Sequence, residues 1–368
     1  MNPFFSFIVP CYDVEQYVGE CIQSVLNQSF QDWECIIGIE TSNDRTEEII
    51  RKKTAGDPRF RIFTGPCTGS CSVIRNTGID MARGEYLIFL DGDDFIADGC
   101  LARIHEKICA NPGADLYPCA IIIRNEIFRT RDNIRDNYRA DAPAEMNGVD
   151  ATVHIYNLLS YGKYNPCHML QLTIHRRLFL LEHDIKNIPG IRSQDTEFSP
   201  RALYYAKRVV PLHEPYYIYR IRPNSVQRIV NQNIAEDYLQ DLVIIQKSLL
   251  AFYDKVSREE GFDERIPPCW LGQWLKRIGF RWFSIKYIQK IPQKKRVEML
   301  KSIIENPSSK RLIHCGTFME KVIAFHIWIF TQYPALRWYV YLCYLSAFSV
   351  IKCCKKTKSV FTHLLDRF

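Results

Sequence analysis

Residues 86–94 read YLIFLDGDD, an apolar strand that runs directly into three carboxylates, Asp91, Asp93 and Asp94. Carboxylates gathered at a strand end suit a hard divalent cation, and such a cation usually serves a phosphate-bearing substrate. A D-x-D arises readily by chance, and an acidic turn is ordinarily a solvated one because turns favour Asp. The neighbouring segments decide between these readings.

Upstream, residues 4–9 (FFSFIV) form a buried strand ended by Pro10. Asp13 is placed to cap a following helix, with Gln16 completing a capping box. Val14, Tyr17, Val18, Cys21, Ile22, Val25 and Leu26 supply that helix with an apolar stripe. Strands are predicted at 33–39, 60–63, 85–90 and 115–123, with helices at 46–53, 71–82 and 98–110. Strand and helix alternate four times, which predicts a mostly parallel α/β sheet. Ligands of such sheets lie beyond the carboxyl ends of the strands. The loops there are 10–13, 40–46, 64–71 and 91–97, and they gather Asp13, Glu40 and Asp44 with the acidic cluster. Residues 124–150 are a polar excursion, and apolar patterning resumes at 166–181. A helix is predicted at 194–206, and two short strands within 209–219. Beyond 233 only helices are predicted, at 234–255, 268–289, 293–305 and 318–351.

The chain has 368 residues, 47 % hydrophobic and 24 % charged, which is globular and long enough for one large domain or two ordinary ones. Net charge is +7. Much of the excess falls after residue 270, a distribution that suits an anionic surface. No basic helix interleaved with aromatics is present, so nucleic acid is not an expected partner. The 14 cysteines include no C-x-x-C pair and no zinc spacing. With no signal peptide legible, a reduced, cytoplasmic setting is expected.

Taken together, SFIVPCY at 6–12, TSNDRT at 41–46, RNTG at 75–78 leading into Arg83-Gly84-Glu85-Tyr86, and LDGDD at 90–94 resemble the family-2 inverting glycosyltransferases of the GT-A fold. Gln194-Asp195-Thr196-Glu197-Phe198 is similar to that family's acidic pair at the head of a helix. Tyr216–Arg220 with Asn224-Ser225 is similar to the segment that follows it. The resemblance spans roughly residues 3–228, and it implies a Rossmann-like GT-A catalytic domain over 1–228 followed by a helical region over 229–368.

It further implies transfer of a sugar from a nucleotide-diphosphate donor, expected to be a UDP-sugar, assisted by Mn²⁺ or Mg²⁺ as a Lewis acid. Asp93 is the expected metal ligand. Asp91 faces the ribose, or the metal through water. Asp94 holds the loop. Asp195 takes the position of the base that removes the acceptor hydroxyl's proton; capping of the helix is its plainer role. Glu40 is placed for a base edge, although the acid that usually precedes it is Ile39 here. Asp44 is expected to tie its loop. Arg75 suits the nucleotide side or a surface ion pair, and Asn76 a turn. Pro10, Tyr12 and Asp13 fit a rim against base and ribose, and Gly92 lies within the metal loop. Arg220 and Arg222 reach either the diphosphate or solvent. His168 and His213 read as core or surface residues.

Residues 322–336 and 338–351 carry no charged side chain, yet neither run reaches the ~20 residues of a spanning helix. Trp328, Tyr333, Trp338, Tyr339, Tyr341 and Tyr344 favour a water–lipid boundary. Lys352, Lys355, Lys356 and Lys358 follow them. A surface anchor around 318–358 on the inner face of a membrane is expected, with a buried helical hairpin as the alternative. It suits a glycan or lipid-linked acceptor in bacterial surface-polysaccharide synthesis. Two rivals remain at this level. A nucleotidyltransferase would want a Gly-rich basic loop where Pro10-Cys11-Tyr12-Asp13 stands. A degenerate relative would bind without turnover.

Overall fold

The computed structural model describes residues 2–128, 131–136, 138, 142–160, 170–222, 232–263, 265, 266, 294, 297 and 298. In chain order the elements are β1 (Phe5–Cys11), α1 (Val18–Leu26), β2 (Trp33–Glu40), α2 (Thr46–Thr54), β3 (Phe60–Gly65), α3 (Ser72–Met81), β4 (Tyr86–Phe89), β5 (Phe95–Ile96), α4 (Cys100–Ala110), β6 (Leu116–Pro118), β7 (Ala120–Asn125), β8 (Asn133–Arg135), α5 (Gly148–Ser160), a 3₁₀ turn (Leu170–Leu172), β9 (Thr173–Arg176), α6 (Arg177–Glu182), α7 (Asp195–Tyr205), β10 (Pro215–Ile221) and α8 (Gln232–Val256). Two compact units share them. One comprises Met1–Ile229 with Lys255–Cys269, and the other Val230–Asp254 with Trp270–Phe368.

The first unit is built on a six-stranded sheet of order β3-β2-β1-β4-β9-β6. The four strands β3, β2, β1 and β4 are parallel, while β9 runs antiparallel to both β4 and β6. Strand side chains alternate between faces, and helices cover both, so β1 is buried along its whole length. Phe5, Phe7, Val9 and Cys11 pack with α1 and α4 through Val18, Cys21, Ile22, Leu101 and Ile104. Ile8, Ile36, Leu87 and Phe89 face the opposite layer, with Ile79 of α3 and Phe198, Ala202 and Leu203 of α7. The Arg83-Gly84 turn is locked at the amino end of the sheet. Buried Glu34 accepts from the Ser6 hydroxyl at 2.7 Å and pairs with Arg83 at 2.8 Å.

The predicted strands and helices of the first 110 residues are present, with three local corrections in the unit. Asp13 does not cap α1. It has φ +52°, and α1 begins only at Val18 behind a non-helical Tyr17. Val14 packs into the core through a turn instead, its backbone N–H bonded to Thr46 Oγ1 at 2.9 Å. The predicted strand 115–123 is two strands in two sheets. The Cys119 N–H still donates to the Leu172 carbonyl in the register of the β6–β9 ladder, and β7 then joins a second sheet of order β5-β10-β7-β8. The two strands expected within 209–219 are one, β10, and Val209 makes only isolated bridges to Leu116 and Met146. The polar excursion contributes β8 and the start of α5.

The helices expected at 268–289 and 318–351, the anchor around 318–358, His168 and Asn224-Ser225 lie outside the described residues, as does most of the helix expected at 293–305. Among the described residues no helix is long and apolar enough to cross a membrane.

Candidate active site

The loops that follow β1, β2 and β3, together with the acidic turn after β4, share the carboxyl edge of the parallel strands. After β4 the chain turns tightly, the Asp94 N–H bonding the Asp91 carbonyl at 2.9 Å. Carboxylate oxygens of Asp91, Asp93 and Asp94 lie within 4.8 Å of one another. Gly92 is required there, because a Cβ would stand 2.8 Å from Cys11 Sγ and 3.1 Å from the Pro10 carbonyl. The Gly92 N–H donates to that carbonyl at 3.2 Å, so Pro10 and Gly92 meet through backbone.

The three acids have separate surroundings. Asp94 is buried and turned inward, accepting from the Tyr217 hydroxyl at 2.5 Å and the Arg220 N–H at 2.8 Å. Burial first, then the charges of Asp93 and Asp91, push its carboxyl well above the usual range. Asp91 receives Arg75 at 2.5 Å on Oδ1 and the Gln171 amide at 2.6 Å on Oδ2. Asp93 receives two donors of Arg222, Nη2 at 2.8 Å and Nε at 2.9 Å, on one oxygen. Its enclosed position and the Asp91 charge push it up, and Arg222 opposes them. With Asp94 committed to the fold, Asp91 and Asp93 are the pair that fits a hard, oxygen-seeking cation.

Arg75 joins this turn to the head of α7. It is buried on α3, so its ion pair with Asp91 is no surface contact; burial lowers its basicity, but the neighbouring carboxylate overrides that and holds it raised. Its second nitrogen lies 3.5 Å from Oε1 of Gln194, whose amide reaches Ser70 and Cys71. Asp195 follows as the first residue of α7, with Oδ1 accepting the Thr196 N–H at 2.9 Å. It therefore makes a local helix-end bond at the same edge as the acidic turn. Asn76 bonds Asn187 rather than a ligand pocket.

Glu40 is buried at the end of β2 and accepts from Thr68 at 3.0 Å. Tyr12, half exposed, contacts the Cys67 side chain with its hydroxyl. Asp13 turns through its left-handed backbone beside it. Asp44 does tie its loop. Burial raises its carboxyl, but bonds from Ser42, Thr46 and the Glu15 N–H bring it below the usual range.

Sequence reasoning left Arg220 open between diphosphate and solvent, and the structure corrects the solvent alternative. Its guanidinium is buried between Glu20 and Glu126 and bonds the Asp93 carbonyl at 3.0 Å. His213 pairs with Asp136 at 2.5 Å, away from the acidic turn. Gln171 and the Tyr217 hydroxyl were missed, since neither carries a local signal of contact with the acidic turn.

The fold is that of a GT-A glycosyltransferase. The structure of Staphylococcus aureus TarS 1–349 in complex with UDP-GlcNAc superposes with a TM-score of 0.66 at 18 % identity, covering 92 % of each chain. In sequence, the glycosyl transferase family 2 model matches residues 6–168. The uncharacterized glycosyltransferase EpsJ of Bacillus subtilis is 31 % identical over 69 % of this chain and 71 % of its own. The putative glycosyltransferase EpsH of the same organism is 27 % identical over 76 % and 80 %. The chain therefore belongs to glycosyl transferase family 2.

Proposed function

We propose that the protein transfers a sugar, with inversion, from a UDP-sugar to a glycan or lipid-linked acceptor at the inner face of a membrane, in surface-polysaccharide synthesis. The observation that supports this reading is the continuous link from Asp91 through Arg75 and Gln194 to the head of α7, whose first residue is Asp195. The UDP complex of the structurally similar TarS supports the choice of nucleotide.

In this reading Glu40 accepts a hydrogen bond from the base edge, while Tyr12, Asp13 and Pro10 line base and ribose. Asp93 and Asp91 hold Mn²⁺ or Mg²⁺, which supplies Lewis-acid charge to the diphosphate leaving group. Arg75 keeps Asp91 oriented. Asp195 accepts the acceptor hydroxyl's proton from the face opposite the leaving group, so that bond formation inverts the anomeric carbon. Positive charge develops on the sugar ring as an oxocarbenium-like transition state. The basic, aromatic stretch at 318–358 supplies the membrane contact.

The test is a thermal-shift panel of UDP, GDP, CDP and dTDP with and without Mn²⁺, since a ligand bound only by the folded protein raises its melting temperature. Stabilisation by UDP that needs Mn²⁺ and vanishes in Asp93→Ala is expected. A folded protein indifferent to every nucleotide refutes the proposal.

A further inference from the structure

The two carboxylates proposed as metal ligands are not idle in the ligand-free chain. Asp91 is matched by Arg75 and Asp93 by Arg222, two negative charges against two positive ones. The two arginines are held very differently. Arg75 is nearly inaccessible on α3, with Gln194 behind it. Arg222 lies one residue beyond the end of β10, and its guanidinium rests 4.9 Å from the Tyr17 ring centre. Its ion pair is directed at a single oxygen of Asp93, while the backbone beneath is fixed separately by Arg220 on the Asp93 carbonyl. Arg222 thus meets the acidic turn only through its ion pair with Asp93, whereas Arg75 also bridges the turn to Gln194.

Formal charge then sets a condition on filling the site. With both arginines in place these four side chains sum to zero, Asp94 being held separately by the Tyr217 hydroxyl and the Arg220 N–H. A divalent cation alone adds two positive charges to these four side chains in a part-buried site, and opposes Arg222 directly for the same carboxylate. A divalent cation together with the two charges of a sugar nucleotide's diphosphate restores neutrality, and gives the displaced guanidinium a new anion. Like charges brought together in a site screened from water repel more strongly than they would in bulk solvent.

Resting on the transferase reading above, we infer that Arg222 is an internal counter-ion that competes with the divalent cation for Asp93, so that metal and nucleotide diphosphate enter as a coupled pair rather than independently. Arg222 is thus a positioning residue that sets the coupling between two ligands. Such coupling is reciprocal, typically about 5–150-fold in affinity.

The experiment measures Mn²⁺ binding to the full chain from loss of the free-ion electron paramagnetic resonance signal, with and without saturating UDP. Wild type, Arg222→Gln, Arg222→Lys and Asp93→Asn are compared, each shown folded by circular dichroism. Wild type should bind Mn²⁺ weakly alone and at least about tenfold more tightly with UDP, within the usual span of such couplings. Arg222→Gln should bind Mn²⁺ alone about tenfold more tightly than wild type, with most of the UDP enhancement gone. Arg222→Lys keeps the charge and should stay near wild type. Mn²⁺ affinity unchanged or weakened in Arg222→Gln, while Asp93→Asn abolishes binding, would overturn the inference and leave the transferase reading standing. Absence of Mn²⁺ binding by wild type even with UDP would overturn the metal site itself, and both ideas with it.

Discussion

Tyr217→Phe removes one buried oxygen from beneath the acidic turn. The hydroxyl donates to Asp94 Oδ2 at 2.5 Å and accepts the Asp91 N–H at 3.4 Å, and the ring has no solvent exposure. Phenylalanine fills the same space, so the cost is the hydrogen bond to a buried carboxylate, about 1.5–3 kcal/mol for a charged partner. At about 2–4 °C per kcal/mol for a unit of this size, the melting temperature should fall by roughly 3–12 °C. The loss depends on pH with a definite sign. Burial raises the Asp94 carboxyl well above its unfolded value, while Tyr217 acts to lower it. A carboxyl raised by folding binds its proton more tightly in the folded protein than in the unfolded chain, where its pKa is about 3.9. Its contribution is complete below that value and is lost as pH climbs through the raised one. Tyr217 limits that loss, so its removal should matter most in alkali and least in acid. Calorimetry of both proteins at pH 5 and pH 8 should show the larger deficit at pH 8. An equal deficit at both pH values, or none at pH 8, would refute the assignment of Tyr217 as the support of an ionised Asp94.

Gly92→Ala places a methyl group 2.8 Å from Cys11 Sγ, and should destabilise by about 1–3 kcal/mol in chemical denaturation, with partial recovery in the double variant carrying Cys11→Ala. Gly148→Ala drives a Cβ to 1.6 Å from the Leu203 carbonyl, a backbone atom that cannot step aside, so α5 and α7 must separate; a loss above about 3 kcal/mol, seen as a collapsed yield of folded protein, is expected. Asp195→Asn should lower turnover by at least about 10²-fold while leaving the UDP and Mn²⁺ affinities within about twofold, because a general base is needed only for the chemical step. Mn²⁺ affinity should keep rising with pH above the ordinary carboxylate range, since burial and the Asp91 charge raise the Asp93 proton's hold; a plateau already reached at about pH 5 would contradict this.

Several of these positions were legible before any fold was known. The acidic turn announced itself because an apolar strand cannot absorb three carboxylates, and the family resemblance assigned Asp44 to its loop, where it accepts the Thr46 N–H two residues on. Asp13 shows the limit of such reasoning. Asp followed three residues later by Gln is a helix start by local pattern, yet the turn from Asp13 to Val18 is set by Thr46 and Asp44, some thirty residues distant. Likewise Leu116–Asn125 has the composition of one strand, and it divides because its first residues pair with β9 while β10 offers β7 another ladder.

What the sequence determined by itself is therefore whatever short-range periodicity and local bonding encode: the four parallel strands, their covering helices, the edge where ligands gather, and the acids placed there. Tertiary structure decided which donor answers which acid. Arg75 to Asp91, Gln171 to Asp91, Tyr217 to Asp94 and Arg222 to Asp93 join residues 16, 80, 123 and 129 positions apart. Charge complementarity alone leaves all those pairings open. The packing of β10 and of the 3₁₀ turn against the end of β4 selects among them, because only side chains brought within about 3 Å can hydrogen-bond to a carboxylate, and a polar group left unpaired in that enclosed site would cost more than the bond it forgoes.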